Sequence, residues 1–245
     1  LFTWHQYLNN QRKADDKTDF MQGAYLGPEF NNANIESFLK KHGYIYETLT
    51  DEELPKKIAD LIDGEKVIGW FQGRMEFGPR ALGSRTIIGD ARSPEMQKTM
   101  NLKIKYRESF RPFAPSVRAE NISDYFEIDR ESPYMLLVAN VQKDKQVAMS
   151  KEQNSYFGLE KLNVVRSEIP AITHVDYSAR IQSVNRKTNS RYHEMLTKFN
   201  NKYGCPVIVN TSFNVRGEPI VCTPKDAYLC FMRTEMDYLI MGNYL

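Results

Sequence analysis

Apolar residues recur at helical spacing in several stretches of the chain. Leu54, Ile58, Leu61 and Ile62 form a stripe behind Thr50, a capping residue type placed before Asp51, Glu52 and Glu53, and Gly64 marks the stop. Ser190 to Tyr203 is an amphipathic helix closed by Gly204, and Asn34 to Lys41 a shorter one stopped by Gly43. A cap followed by proline occurs twice. Thr223 and Pro224 open a last helix, and Ser93 and Pro94 open one running to about Lys103.

Between the helices lie short apolar runs that predict strands: Tyr44 to Thr48, Lys66 to Phe71, Pro206 to Val209 and Asp237 to Met241. Tyr134 to Val141 (YMLLVANV) is almost continuously apolar and reads as an inner strand. Gln142 to Ser167 is polar, lysine-rich and poorly periodic, as in a mobile loop or inserted element. Leu1 to Arg12, with Trp4, Tyr7 and Leu8 as its apolar contacts, reads as a helix end, followed by the polar linker Lys13 to Thr18. Interleaved helices and short strands without an internal repeat predict an α/β, or mixed α+β, layered architecture. In such sheets ligands gather beyond the carboxyl ends of strands. The turns after Phe71 and after Val209 are so placed.

Composition narrows the class. The 245 residues are 41% hydrophobic and 26% charged, enough for a folded core. No apolar run approaches membrane-spanning length and no signal peptide pattern occurs, which makes a cytoplasmic location the default and excludes a membrane partner. Three cysteines, Cys205, Cys222 and Cys230, without paired spacing, read as reduced core thiols. Net charge is only +2, which argues against a dedicated nucleic-acid binder. Charge is nevertheless concentrated: Gly73 to Arg111 holds six Arg and three Lys against four acids, +5, leaving −3 elsewhere. Such a segment suits a small, multiply charged anion.

Four segments carry candidate chemistry. GRMEFGPRALGSR sets Arg74, Arg80 and Arg85 among glycines, so that guanidinium forks and open backbone amides can grip phosphate or carboxylate oxygens. A lone Gly/Arg turn is ordinarily a solvated loop; three arginines recurring after a strand favour the anion grip. KIKYRESFRPFAPSV adds Lys103, Lys105, Arg107 and Arg111, which would align on a strand face or, for Arg107 and Arg111, on a helix face. Its Phe110 and Phe113 read as core. HVDYSARIQSV offers Arg180, with His174 taken as a packing histidine rather than a base. NTSFNVRGEPIV clusters Asn210, Ser212, Asn214 and Arg216 in a polar turn. P-loop, zinc-protease, nucleophile-elbow and kinase signatures do not occur, so any nucleotide chemistry uses another phosphate grip.

Together these segments resemble the C-terminal part of the O-carbamoyltransferases of the nodulation and antibiotic-tailoring type. The resemblance rests on GRMEFGPRALGSR, KYRESFRPFAP, THVDYSARIQSV and NTSFNVRGEPIVCTPKDA, and extends over most of Tyr25 to Leu245. It implies a YrdC/Sua5-like twisted open sheet flanked by helices over residues 21–245, with residues 1–20 as the tail of an N-terminal Kae1-like domain plus linker. It also implies an ATP-dependent carbamoyltransferase activity, of which this chain performs the first half-reaction: carbamoyladenylate formed from carbamoyl phosphate and ATP, with Mg²⁺ expected on the triphosphate. Transfer to an acceptor hydroxyl falls to the N-terminal domain as partner. Residue by residue, the resemblance places Arg80, Lys105 and Arg111 in the catalytic role, and Arg74, Arg85, Arg107, Arg180, Asn210, Ser212, Asn214 and Arg216 in substrate and nucleotide binding, with no protein metal ligand. One departure is Tyr177, where the family commonly has glycine. The competing reading is a non-catalytic nucleotide- or RNA-binding module, which steep salt dependence would reveal.

Overall fold

A computed structural model describes residues 2–11 and 19–245. The expected linker at 13–18 lies outside the described residues.

Two helices open the folded part. Helix α1 (Asn32–His42) starts at a reciprocal cap between Asn31 and Asn34, and ends at Gly43 in the left-handed conformation. Helix α2 (Glu53–Asp63) follows a turn in which Thr50 and Glu53 exchange hydrogen bonds, and it buries Leu54, Ile58 and Ile62 as its spacing predicts. The segment Tyr44 to Thr48 is not a strand. It runs beside the C-terminus with one bridge, Thr48 to Tyr244, and its Ile45 side chain is exposed.

The remaining elements build one seven-stranded sheet. In chain order they are β1 (Ile68–Phe71), β2 (Arg85–Asp90), α3 (Met96–Thr99), β3 (Ala114–Arg118), α4 (Ile122–Tyr125), β4 (Leu137–Asn140), α5 (Lys151–Ser155), α6 (Leu159–Leu162), β5 (Ser178–Val184), α7 (Ser190–Tyr203), β6 (Val207–Ser212), α8 (Pro224–Met232) and β7 (Tyr238–Met241). Their order across the sheet is β4-β5-β3-β6-β2-β1-β7. Only β1 with β7 and β3 with β5 pair in parallel; the other neighbours are antiparallel.

Helices cover both faces. Helices α2 and α7 pack together on the face that carries Trp70, whose ring meets Tyr192 of α7. On the other face Gly89 gives way to Met96 and Met100, of α3 and the wide helical turn that continues it to Ile104. That helix begins at Met96, short of the Ser93 cap, because Ser93 supplies only its carbonyl to Met96. Helix α8 is tied to the same side through Tyr106, which donates to the Arg233 carbonyl at 2.7 Å, and it starts at the Thr223 and Asp226 capping box. Helix α1 lies against α8, where Tyr44 stacks on Tyr228.

Two further expectations are corrected. The YMLLVANV run forms an edge strand rather than an inner one, with Leu136, Leu137 and Val138 exposed. Residues 210–212, expected in a turn, extend β6, because Thr211 and Ser212 pair with Ile87 and Thr86 of β2. Between Gln142 and Ser167, of the two readings offered, the chain takes that of an inserted element: it holds α5, capped by Ser150 and Gln153, and α6, and Gln146 and Ser167 meet in a bridge. No helix among the described residues is long and apolar enough to cross a membrane.

Phe199 is fully buried between α7 and the sheet, with the Arg92 guanidinium 4.9 Å above its ring. Replacing it with alanine is expected to lower stability by about 3 to 5 kcal/mol, read from the urea midpoint.

Candidate functional site

Strand direction brings the four segments together. Strands β1 and β6 run parallel to each other, both antiparallel to β2, while β3 is antiparallel to β6 and β5 parallel to β3. The carboxyl ends of β1 and β6 therefore share one end of the sheet with the amino ends of β2, β3 and β5. The Arg-rich turn, the Lys105 to Arg111 segment, Arg180 and the Ser212 to Arg216 turn all lie at that end.

The Arg-rich turn is folded around an acid. Glu76 is buried, and its Oε1 accepts the N–H groups of Leu82 and Ser84 at 2.7 Å and of Arg85 at 3.3 Å. Burial holds this carboxyl above its ordinary range, against the pull of those donors. Further along, Gly83 sits at φ 105° with its carbonyl accepting from Trp70 Nε1 and Asn189 Nδ2. A β-carbon there would lie 2.4 Å from the Tyr192 ring, so only glycine lets the turn close on the core.

A chain of buried amides ties this turn to three strands. Gln182 of β5 donates to the Leu82 carbonyl at 2.7 Å, and Asn210 of β6 donates to the Ala81 carbonyl at 3.0 Å and to Gln182 Oε1 at 2.7 Å. Ser116 of β3 completes the set with a 2.6 Å bond to Gln182. Arg80, next to Ala81, stays exposed and faces the Arg180 charge. Burial, and then Arg80, hold the Arg180 guanidinium below its ordinary range.

A second group surrounds Lys105, which is only 4% exposed. Its ammonium donates to the Ser212 carbonyl at 2.5 Å, the Asn214 carbonyl at 2.9 Å and Asn214 Oδ1 at 2.8 Å, with Ser212 Oγ at 3.3 Å. Lys105 thus pins the turn after β6 from below. Burial, then the Arg107 charge, push it down from 10.5 to about 7. Arg107 bonds Asn101 Oδ1 at 2.6 Å and lies over Phe113; burial and Arg111 lower it. Arg111 is half exposed and pairs with Glu108 at 2.9 Å, and Glu108 also feels the exposed Arg216. The segment is neither strand nor helix beyond Ile104, and Phe110, expected in the core, is 53% exposed.

Two predicted residues stand apart from these groups. Arg85 is fully buried; it donates to the carbonyls of Gln72, Gly73, Ser84 and Pro28 and lies 3.6 Å from the Phe71 ring centroid. Its guanidinium braces the turn from inside, and burial pushes it down to about 10. Arg74 turns toward Gly27 and Glu29. His174, as expected, packs: it lies 3.2 Å from the Ser178 hydroxyl, with burial holding it below its ordinary range. Tyr177 occupies φ 65°, the left-handed conformation that favours glycine. Glu76 and Gln182 escaped the sequence reading, although a lone acid inside an Arg-rich turn was a usable signal.

Comparison with known proteins identifies the family and the fold. Residues 59–245 match the family model for the carbamoyltransferase C-terminus, and the chain belongs to that family. It is 60% identical over its whole length to the uncharacterized protein sll1178 of Synechocystis sp., covering 40% of that protein. It is 35% identical over 97% of its length to nodulation protein NolNO of Sinorhizobium fredii, covering 33% of it. It is 32% identical over 90% of its length to 3'-hydroxymethylcephem-O-carbamoyltransferase of Streptomyces clavuligerus, covering 39% of it. The chain thus spans well under half the length of these relatives. Among solved structures, P. abyssi Sua5 complexed with L-threonine (TM-score 0.52, 12% identity, 80% of this chain and 48% of that one) shares the fold. So does full-length HypF in its phosphate- and nucleotide-bound form (TM-score 0.50, 18% identity, 78% of this chain and 25% of that one). The expected YrdC/Sua5-like sheet is the one found.

Two outcomes follow from the geometry. Gly83→Ala is expected to cost about 2 to 4 kcal/mol in urea unfolding, since it combines a positive φ with a ring clash. Sulfate, which does not titrate near neutrality, is expected to bind more weakly as pH rises through about 7, where Lys105 loses its proton. Calorimetry should show that slope flattened in Lys105→Met.

Proposed function

We propose that this domain forms carbamoyladenylate from carbamoyl phosphate and ATP. The observation that carries the reading is the convergence of Arg80, Arg180, Arg111 and Arg216 at one end of the sheet, with the Lys105 charge buried beneath. Family membership as a carbamoyltransferase supplies the chemistry.

In the reaction, carbamoyl phosphate is hydrolysed to carbamate and inorganic phosphate. A carbamate oxygen then attacks the α-phosphorus of ATP, and the bond to the β-phosphate oxygen breaks to release pyrophosphate. The two substrates bring up to about six negative charges. Each charge-assisted hydrogen bond contributes about 1.5 to 3 kcal/mol net, and fixed guanidinium donors need no reorganisation as charge moves onto pyrophosphate. Holding carbamate and α-phosphorus side by side supplies several kcal/mol more by proximity. No side-chain nucleophile is required. In this reading Ser212 and Asn214, oriented by Lys105, present the turn to the substrate.

Mg²⁺ would travel with the triphosphate. Among the described residues no three His, Cys, Asp or Glu side chains come together as an ion cage, so in this reading the triphosphate itself carries the ion and no step is assigned to it. Transfer to an acceptor hydroxyl is assigned to an N-terminal Kae1-like domain, for which the greater length of the relatives leaves room.

Pyrophosphate release from ATP, dependent on added carbamoyl phosphate, tests the proposal. Arg80→Ala and Arg180→Ala are each expected to slow it by about 100-fold or more. Full rates in both variants would overturn the assignment.

A further inference from the structure

A second hollow opens at the same end of the sheet, over its β2, β1 and β7 half. It has a volume of about 480 Å³, and its walls include Ser84, Gln72, Gly73, Arg74, Ser190 and Arg191. Helix α7, fourteen residues long, begins at this hollow. Asn189 caps the Tyr192 N–H and its carbonyl accepts the His193 N–H, whereas the N–H groups of Ser190 and Arg191 find no acceptor among the described residues.

An independent observation lies across the hollow. Ser84 is 4% exposed, lines the hollow, and its hydroxyl makes no hydrogen bond among the described residues. Its backbone is fully engaged, N–H to Glu76 and carbonyl to Arg85, so the side chain is held in place with nothing to bind. Around it the polar groups are already paired: Gln72 Oε1 and Asn243 Oδ1 with Arg191, and Glu29 with Arg74. What remains free on this wall, among the described residues, is two backbone N–H groups at the positive end of a helix and the hydroxyls of Ser84 and Ser190, beside one free acceptor, Glu29 Oε1, whose carboxylate charge is offset by Arg74. Unpaired donors at a helix N-terminus suit an oxyanion.

We infer that this hollow binds a small tetrahedral oxyanion of the phosphate class, held by the Ser190 and Arg191 N–H groups and the Ser84 hydroxyl, with the Arg74 and Arg191 guanidinium groups at its rim. This site goes beyond the proposed carbamoyladenylate chemistry and does not depend on it. Each charge-assisted hydrogen bond removed should weaken the anion by about tenfold or more.

Ser190 is the first residue of α7, where proline is tolerated and only the N–H is lost. Inorganic phosphate titrated by calorimetry at fixed pH into Lys105→Met/Arg180→Gln protein, in which the Lys105 group is disabled, should still show one saturable equivalent. Adding Ser190→Pro or Ser84→Ala to that background should each weaken it about tenfold or more, with the unfolding midpoint kept as the check on folding. In otherwise wild-type protein the same two substitutions should leave carbamoyl phosphate-dependent pyrophosphate release unchanged. Absence of a saturable equivalent in the Lys105→Met/Arg180→Gln protein, or the same affinity after Ser190→Pro and Ser84→Ala in folded protein, would overturn the inference. Failure of the proposed reaction would appear separately, as no pyrophosphate from wild-type protein.

Discussion

The end of the sheet where the basic segments gather depends on a buried acid. Glu76 gathers three backbone N–H groups from the far side of its own turn and so draws the path from Gly78 to Ser84 back onto itself. Arg85 closes the same turn from within by donating to four carbonyls. An acid collecting donors and a cation collecting acceptors thus divide the backbone polar groups of one loop between them. Both are desolvated, and each is offset by hydrogen bonds rather than by direct pairing. The result is a rigid turn that leaves Arg80 outside.

Rigidity passes from that turn into the sheet through amides. Gln182, Asn210 and Ser116 come from three neighbouring strands, and their bonds to one another and to the Ala81 and Leu82 carbonyls fix the turn relative to β5, β3 and β6. Lys105 does the same for the turn after β6 from the opposite face. The exposed guanidinium groups of Arg80 and Arg216 are therefore carried on turns whose backbones are held from beneath, while Arg180 is carried on strand β5 itself.

Much of this was legible in the sequence, for identifiable reasons. Helices α2 and α7 announced themselves because their apolar stripes and stop glycines agree. The placing of the turns after Phe71 and Val209 beyond strand ends followed from strand and turn order, whereas the positions of Lys105, Arg111 and Arg180 did not. Less legible was whether an arginine points outward: Arg80 and Arg85 occupy the same motif, yet one is exposed and the other fully buried, since only the fold decides which carbonyls lie near. Apolar content likewise misplaced β4, because an edge strand and an inner strand can have the same composition. The Asn-Thr-Ser stretch read as a turn by residue type, whereas pairing with β2 carries the strand three residues further, to Ser212.

The edge formed by β4 has a consequence of its own. Glu127 donates to the Asn140 carbonyl and so closes the far tip of the strand, but from Leu136 to Ala139 the outer backbone has no partner among the described residues, and its neighbours Leu136 and Val138 face solvent. An open ladder flanked by aliphatic groups is a template onto which another extended chain can add.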